Sequence, residues 1–192
     1  MKHECAAPLV GDHLALDLLN TEARGDDGAV DYWHGGDEVL GWLAAVGIHP
    51  AVAGAVDRAA LLAQAGKLRT LARRLVTRHK AGAADDIRGL NAYLDAYLSA
   101  PHVARGNDGV LVLSRIARGD AIACLLGPVA EAVAQLLAEG DFALVKQCEH
   151  PDCILWFYDR TKAHKRRWCS MAVCGNRYKA AQFRKKSGAV VI

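Results

Sequence analysis

Four cysteines near the C-terminus constrain this chain more than any other feature. Cys148-x4-Cys153 and Cys169-x4-Cys174, separated by fifteen residues, give C-x4-C-x15-C-x4-C. Two short knuckles offering two thiolates each suit one tetrahedral zinc, with sulfurs about 2.3 Å from the metal. In a chain with no apolar leader behind a basic start, six cysteines are expected to stay reduced in a cytoplasm, which favours metal binding over disulfides. Cys5 and Cys124 lie outside the spacing and read as inert thiols. His150 and His164 sit near the quartet, but four thiolates already close the shell. A closed shell leaves no position for water, so the expected zinc is structural. A segment of this size also needs it, being too short to bury a sufficient core alone.

Charge divides the chain at the same place. The 192 residues carry a formal +3, but residues 1–145 hold 13 Lys and Arg against 18 Asp and Glu, net −5, and residues 146–192 hold 11 against 3, net +8. Apolar residues make up 52% and aromatics 6%, enough for a core and more suited to helices than to a β-sandwich. The expected architecture is a mainly α N-terminal domain with a small β-hairpin (1–145), followed by a small treble-clef-like zinc finger with four cysteine ligands (146–192).

Along the body, Asp12 reads as the cap of a short element from His13 to Glu22, where Leu14 and Leu18 share a helical face although Leu14 to Leu18 also alternates as in a strand. Residues 24–36, rich in Gly and Asp, read as a loop. Asp37 caps a helix ending at Gly47. Residues 51–80 read as two helices divided near Gly66, with Leu68, Leu71, Leu75 and Val76 as the buried stripe and Arg69, Arg73 and Lys80 on another face. Ile87, Leu90, Leu94 and Leu98 mark a further helix ended by Pro101. A hairpin follows, His102–Arg105 and Val110–Ser114 around Gly106-Asn107-Asp108-Gly109. Two helical pieces broken at Gly127-Pro128 complete the body. In the tail, Ile154 to Tyr158 is β-prone, with Arg167-Trp168-Cys169 as its expected returning strand. A short basic helix follows Cys174, and Gly175 fits a tight bend around sulfur. The longest charge-free run, Val39 to Val56, contains Gly41, Gly47, Pro50 and Gly54, so no membrane span is expected.

Three function classes follow. Arg166, Arg167, Arg177, Lys179, Arg184 and Lys185, with Trp168 and Tyr178 among them, form a candidate nucleic-acid surface, because each cation reaching a phosphate releases a counterion. Arg177 could instead brace the fold through Asp159. The alternative is a zinc-stabilised protein-docking or small-molecule-binding module, and in the body Asn20, Thr21, Arg69 and Arg73 are candidate linings of a polar ligand pocket. Enzyme function is not expected: no nucleophile elbow, phosphate loop or His-Glu metal motif appears.

The run Arg166-Arg167-Trp168-Cys169-Ser170-Met171-Ala172-Val173-Cys174-Gly175-Asn176-Arg177, preceded by Trp156-Phe157-Tyr158-Asp159-Arg160-Thr161, resembles the CGNR zinc-finger proteins of bacteria. Leu16-Asp17-Leu18-Leu19-Asn20-Thr21 is similar to the L-D-L-x-N-T signature opening their N-terminal ABATE domain. The resemblance covers nearly the whole chain, with Thr161 where the family also uses Ser. It implies a mainly helical regulatory domain and a DNA-binding transcription regulator. The residues themselves set the expectation of one structural zinc and a nucleic-acid partner, with a small-molecule effector and homo-oligomerisation left open.

Overall fold

The computed structural model of the chain describes residues 6–25, 28–51 and 56–188, with side chains through Lys185. They form two compact units. One comprises residues 1–32 together with 140–192, the other residues 33–139. The N-terminal segment thus clusters with the cysteine module, across the expected boundary at 145/146.

In the helical unit, α2 (Gly36–Ala45), α3 (Arg58–Lys80), α4 (Arg88–Ala96) and α5 (Ala121–Glu139) pack together. Asp57 caps α3, its carboxylate accepting the Ala59 and Ala60 N–H groups at 2.9 and 3.1 Å. Arg78, His79 and Lys80 close it where the helix dipole favours cations. The helix runs unbroken through Gly66, as the tertiary packing of Leu61, Ala65, Leu68, Ala72, Leu75 and Val76 outweighs one glycine's cost of about 1 kcal/mol. Arg69 lies on the buried side, with its guanidinium 4.8 Å from the Trp33 ring centre. Gly36 opens α2 where no Cβ fits: one would stand 2.3 Å from the Arg58 carbonyl oxygen.

The two helical pieces expected around Gly127-Pro128 are one helix. Asp120 caps α5 by accepting from Ile122 and Ala123, and the helix continues through Pro128 without the N–H that the Cys124 carbonyl would use. Gly127 lets α5 close on α4's end, since a Cβ there would overlap the Tyr97 ring. By length and hydropathy α5 could cross a membrane, but Leu125, Leu126, Val129, Ala130, Val133 and Leu136 are core. Between α4 and α5, β3 (Leu98–Arg105) and β4 (Leu111–Arg118) form an antiparallel ribbon longer at both outer ends than expected, and Pro101 lies inside β3 rather than at a helix end.

In the other unit, α1 (Leu14–Leu19) is capped by His13, whose Nδ1 accepts from Ala15 N–H, while Asp12 takes a left-handed conformation at φ +52° instead of capping. The loop expected at 24–36 contains a hairpin, β1 (Glu22–Gly25) with β2 (Gly28–Asp31). A three-residue pair, β5 (Val145–Gln147) with β6 (Trp156–Tyr158), precedes one π-helical turn, Met171–Gly175, and α6 (Asn176–Gly188). Phe157 on β6 is fully buried, packed with Val10, Leu155, Trp168 and the cysteines.

Candidate metal centre

Each knuckle is shaped by backbone bonds. In the first, Cys148 N–H donates to Leu155 O and Cys153 N–H to His150 O, both at 2.9 Å, folding the loop so that both sulfurs face the same way. The knuckles meet through Glu149 N–H donating to Arg167 O at 3.0 Å. Arg167-Trp168 therefore joins the knuckle loop, and the returning strand that pairs with β6 is β5, ahead of Cys148. In the second knuckle, Ser170 Oγ accepts from Val173 N–H, and the π-helical turn carries Cys174 into the start of α6. Gly175 has no left-handed φ, and a Cβ there would meet Met171 Sδ at 2.4 Å and the Trp168 ring at 3.3 Å, so the Met171 side chain would have to move aside.

The four sulfurs lie within 4.8 Å of one another. Cys153 and Cys169 Sγ are 3.7 Å apart, and Cys169 and Cys174 Sγ 3.6 Å. A disulfide requires about 2.05 Å. A tetrahedron of sulfurs at the usual zinc distance has edges of about 3.8 Å, so the separations are those of metal ligands. Left to themselves the thiols do not ionise alike. The Cys169 thiol's hydrogen bond to Cys153 draws the Cys153 pKa down to about 5. Burial and the neighbouring sulfurs push Cys174 up to about 12, and Cys169, hydrogen-bonded to Cys153 and buried, rises further. One negative charge is easy here; four require a cation among them. No imidazole or carboxylate joins the group among the described residues. His150 Nδ1 accepts from Asp152 N–H, and His164 Nδ1 lies 3.2 Å from Asp159 O. Cys148, Cys153, Cys169 and Cys174 thus form a four-thiolate site for one structural zinc. Cys124 is half-buried and apart, its thiol pKa raised by burial; Cys5 lies outside the described residues.

Around the metal site, two charged residues act as internal ties. Asp159 is fully buried, yet its carboxylate is held well below the usual range. Burial opposes its charge, but Lys146 Nζ at 2.7 Å, Thr161 Oγ1 at 2.6 Å and the N–H groups of Thr161 and Arg166 overcome that. Arg166 donates to Trp168 O, Cys169 O, Val10 O and the Asp12 carboxylate, and lies 4.2 Å over the Phe157 ring. Expected on a nucleic-acid surface, Arg166 instead commits its guanidinium to the second knuckle. Arg167 is exposed, bonded to Glu149 Oε2 at 2.6 Å, and covers the Trp168–Tyr178 pair, whose rings are 4.8 Å apart. On α6, Tyr178, Ala181 and Gln182 are half-buried, while Arg177, Lys179, Arg184 and Lys185 are exposed.

Of the expected ligand-pocket residues, Asn20 and Thr21 belong to one unit and Arg69 and Arg73 to the other. Asn20 is fully buried and bonds both ways with the Trp156 backbone: its Nδ2 donates to Trp156 O at 2.9 Å, and its Oδ1 accepts from Trp156 N–H at 2.8 Å. Thr21 Oγ1 donates to Leu18 O at 2.7 Å. Arg69 is buried against Trp33, and Arg73 is half-buried on α3. Sequence reasoning did not foresee that Asn20 clamps the finger's strand. The signal was a lone amide in an apolar run, Leu16-Asp17-Leu18-Leu19-Asn20, where burial demands partners for every polar atom.

Two family models match the chain. The ABATE family, described as "putative stress-induced transcription regulator", matches residues 12–140, and the CGNR zinc finger matches residues 145–187. No curated protein matches. The first match spans both spatial units, since its residues 12–32 fold with the finger.

Proposed function

We propose that this chain, which belongs to the ABATE family and carries a CGNR zinc finger, is a transcription regulator that grips duplex DNA through phosphate contacts from the finger. The observation that carries this reading is the split among the finger's basic residues. Arg166 is consumed by the fold, whereas Lys179, Arg184 and Lys185 are exposed on the helix that leaves the fourth ligand, with no ion pair among the described residues. Cys174 leads into that helix and ties it to the metal site, with Arg177 in its first turn and Arg167 over Tyr178 beside it. Four thiolates and one Zn²⁺ leave the module's formal charge at +6, still strongly cationic.

Salt-titrated binding of the zinc-loaded chain to duplex DNA tests the proposal. Lys179→Ala, Arg184→Ala and Lys185→Ala together should flatten the log–log salt dependence by about 0.9 per lost contact, nearly 3 if all three engage phosphates, with zinc content unchanged. Arg166→Ala should act differently, weakening zinc retention by loosening the second knuckle. An unchanged slope in the triple variant would overturn the DNA reading. It would favour the protein-docking alternative, to which Met171, Val173 and Phe183, 51%, 54% and 72% exposed on the finger, lend support.

A further inference from the structure

The two edges of the β3–β4 ribbon are not equivalent. Gly106 N–H donates to Val110 O at 2.8 Å, which fixes the alternation along the ribbon. With the register Ala104↔Val112, His102↔Ser114 and Ala100↔Ile116, even-numbered residues bond across the ribbon and odd-numbered ones turn their N–H and C=O outward. On β3 the outward positions are Ser99, Pro101, Val103 and Arg105. Pro101 has no N–H, and the Ser99 carbonyl already accepts from Arg115 at 3.2 Å. At Ser99 and Pro101 that edge is blocked to a further strand. On β4 the outward positions are Leu111, Leu113, Arg115 and Ala117, with every donor and acceptor intact and neither proline nor acidic residue present.

The ribbon is also unusually bare. Six of eight β3 residues and seven of eight β4 residues are exposed. Leu98, Val103, Leu111 and Leu113 are 57–72% exposed, and Val112 and Ile116 nearly half. A two-stranded ribbon alone is marginally stable in water, and a long apolar open edge invites another strand.

We infer that β4 is a self-association edge: two copies of this chain join their β4 strands antiparallel across a twofold axis, making one four-stranded sheet. The strand's own sequence is the argument for a second copy as the occupant. Only pairings of odd with odd positions bring outward donors to outward acceptors, and a twofold axis at Leu113 or Ser114 satisfies this over nearly the whole strand. With the axis at Ser114, Val112 meets Ile116, Leu111 meets Ala117 and Leu113 meets Arg115. No two arginines face each other in either register. The interface is isologous, so it closes at two copies, and the Pro101 edges end the sheet on both sides.

Sedimentation equilibrium of the zinc-loaded full chain tests this. The wild type should be a dimer. Leu113→Pro removes an outward N–H and no bond within the ribbon, and Leu113→Lys places a charge on the open edge; each should weaken the dimer tenfold or more with the circular dichroism unchanged. Should the proline variant lose structure, the lysine variant carries the test. Val103→Lys adds the same charge to the same ribbon face from β3 and should leave the dimer intact. A wild type that remains monomeric at high micromolar concentration would overturn the inference, including one that pairs only with an acidic foreign strand. So would a dimer indifferent to Leu113, or one broken equally by Val103→Lys, which would indicate face stacking instead of edge pairing.

Discussion

Asn20→Ala should unfasten the finger from the N-terminal segment. The side chain is fully buried, and its amide supplies a donor and an acceptor to one residue, Trp156, at 2.9 and 2.8 Å. Alanine leaves the Trp156 N–H and C=O without these partners. Each orphaned buried group costs about 1–3 kcal/mol, so the gross loss is about 2–6 kcal/mol, and water entering the vacated space favours the lower half. Because Trp156 begins β6, between the first knuckle and Phe157, the loss should appear in the transition coupled to zinc release. Urea unfolding at fixed free zinc, followed by circular dichroism alongside a chromogenic zinc indicator, separates that transition from unfolding of the helical unit. Asn20→Asp should do no better: it keeps an acceptor for the Trp156 N–H but sets a second oxygen against Trp156 O. A loss below about 0.5 kcal/mol, well under the cost of even one orphaned group, or a shift confined to the zinc-independent transition, would refute the clamp.

Asp17 should titrate near pH 6, because burial raises its carboxyl pKa and only partly yields to the hydrogen bond from Gly11 N–H. With the folded pKa raised above the unfolded value of about 3.9, the folded state binds more protons between those limits, so this group's contribution to stability grows as pH falls from 6 towards 4. A carboxyl NMR titration checks it, and a midpoint near 4 would contradict the buried environment. Gly36→Ala should cost about 1–3 kcal/mol or more in thermal or urea unfolding of the helical unit, since the added methyl meets Arg58 backbone that cannot step aside. Unchanged stability there would mean that α2 and the start of α3 are not so closely apposed.

Much of this architecture is written in local chemistry. The paired C-x4-C spacing specifies the metal site because a tetrahedral shell demands four ligands from two tight turns. The stripe Leu68, Leu75, Val76 marks α3's buried side because helical periodicity is local. What stayed hidden depends on distant partners. Gly66 and Gly127-Pro128 look like helix ends, yet burial of the flanking Leu and Val residues carries α3 and α5 through them. The β1–β2 hairpin, in a Gly- and Asp-rich stretch, shows little strand propensity, and its pairing is extended by Tyr32 N–H donating to Thr21 O at 3.0 Å. β6 looks like one arm of a hairpin with Arg167-Trp168, but its partner is β5, and its other neighbour is a helix 136 residues earlier. Arg166 and Arg184 are indistinguishable by type; only the carbonyls of Val10, Trp168 and Cys169 around the first tell a brace from a surface cation.

The most direct test of the zinc-organised finger is X-ray absorption at the zinc edge, with elemental analysis, on the full chain purified without chelator. One zinc per chain is expected, surrounded by four sulfurs at about 2.3 Å and no nitrogen or oxygen neighbour. Cys174→Ser should replace one sulfur by a lighter scatterer or abolish binding, while the helical unit keeps its circular dichroism. A chain with no zinc, or with imidazole in the shell, would contradict the four-thiolate centre on which the rest of the account stands.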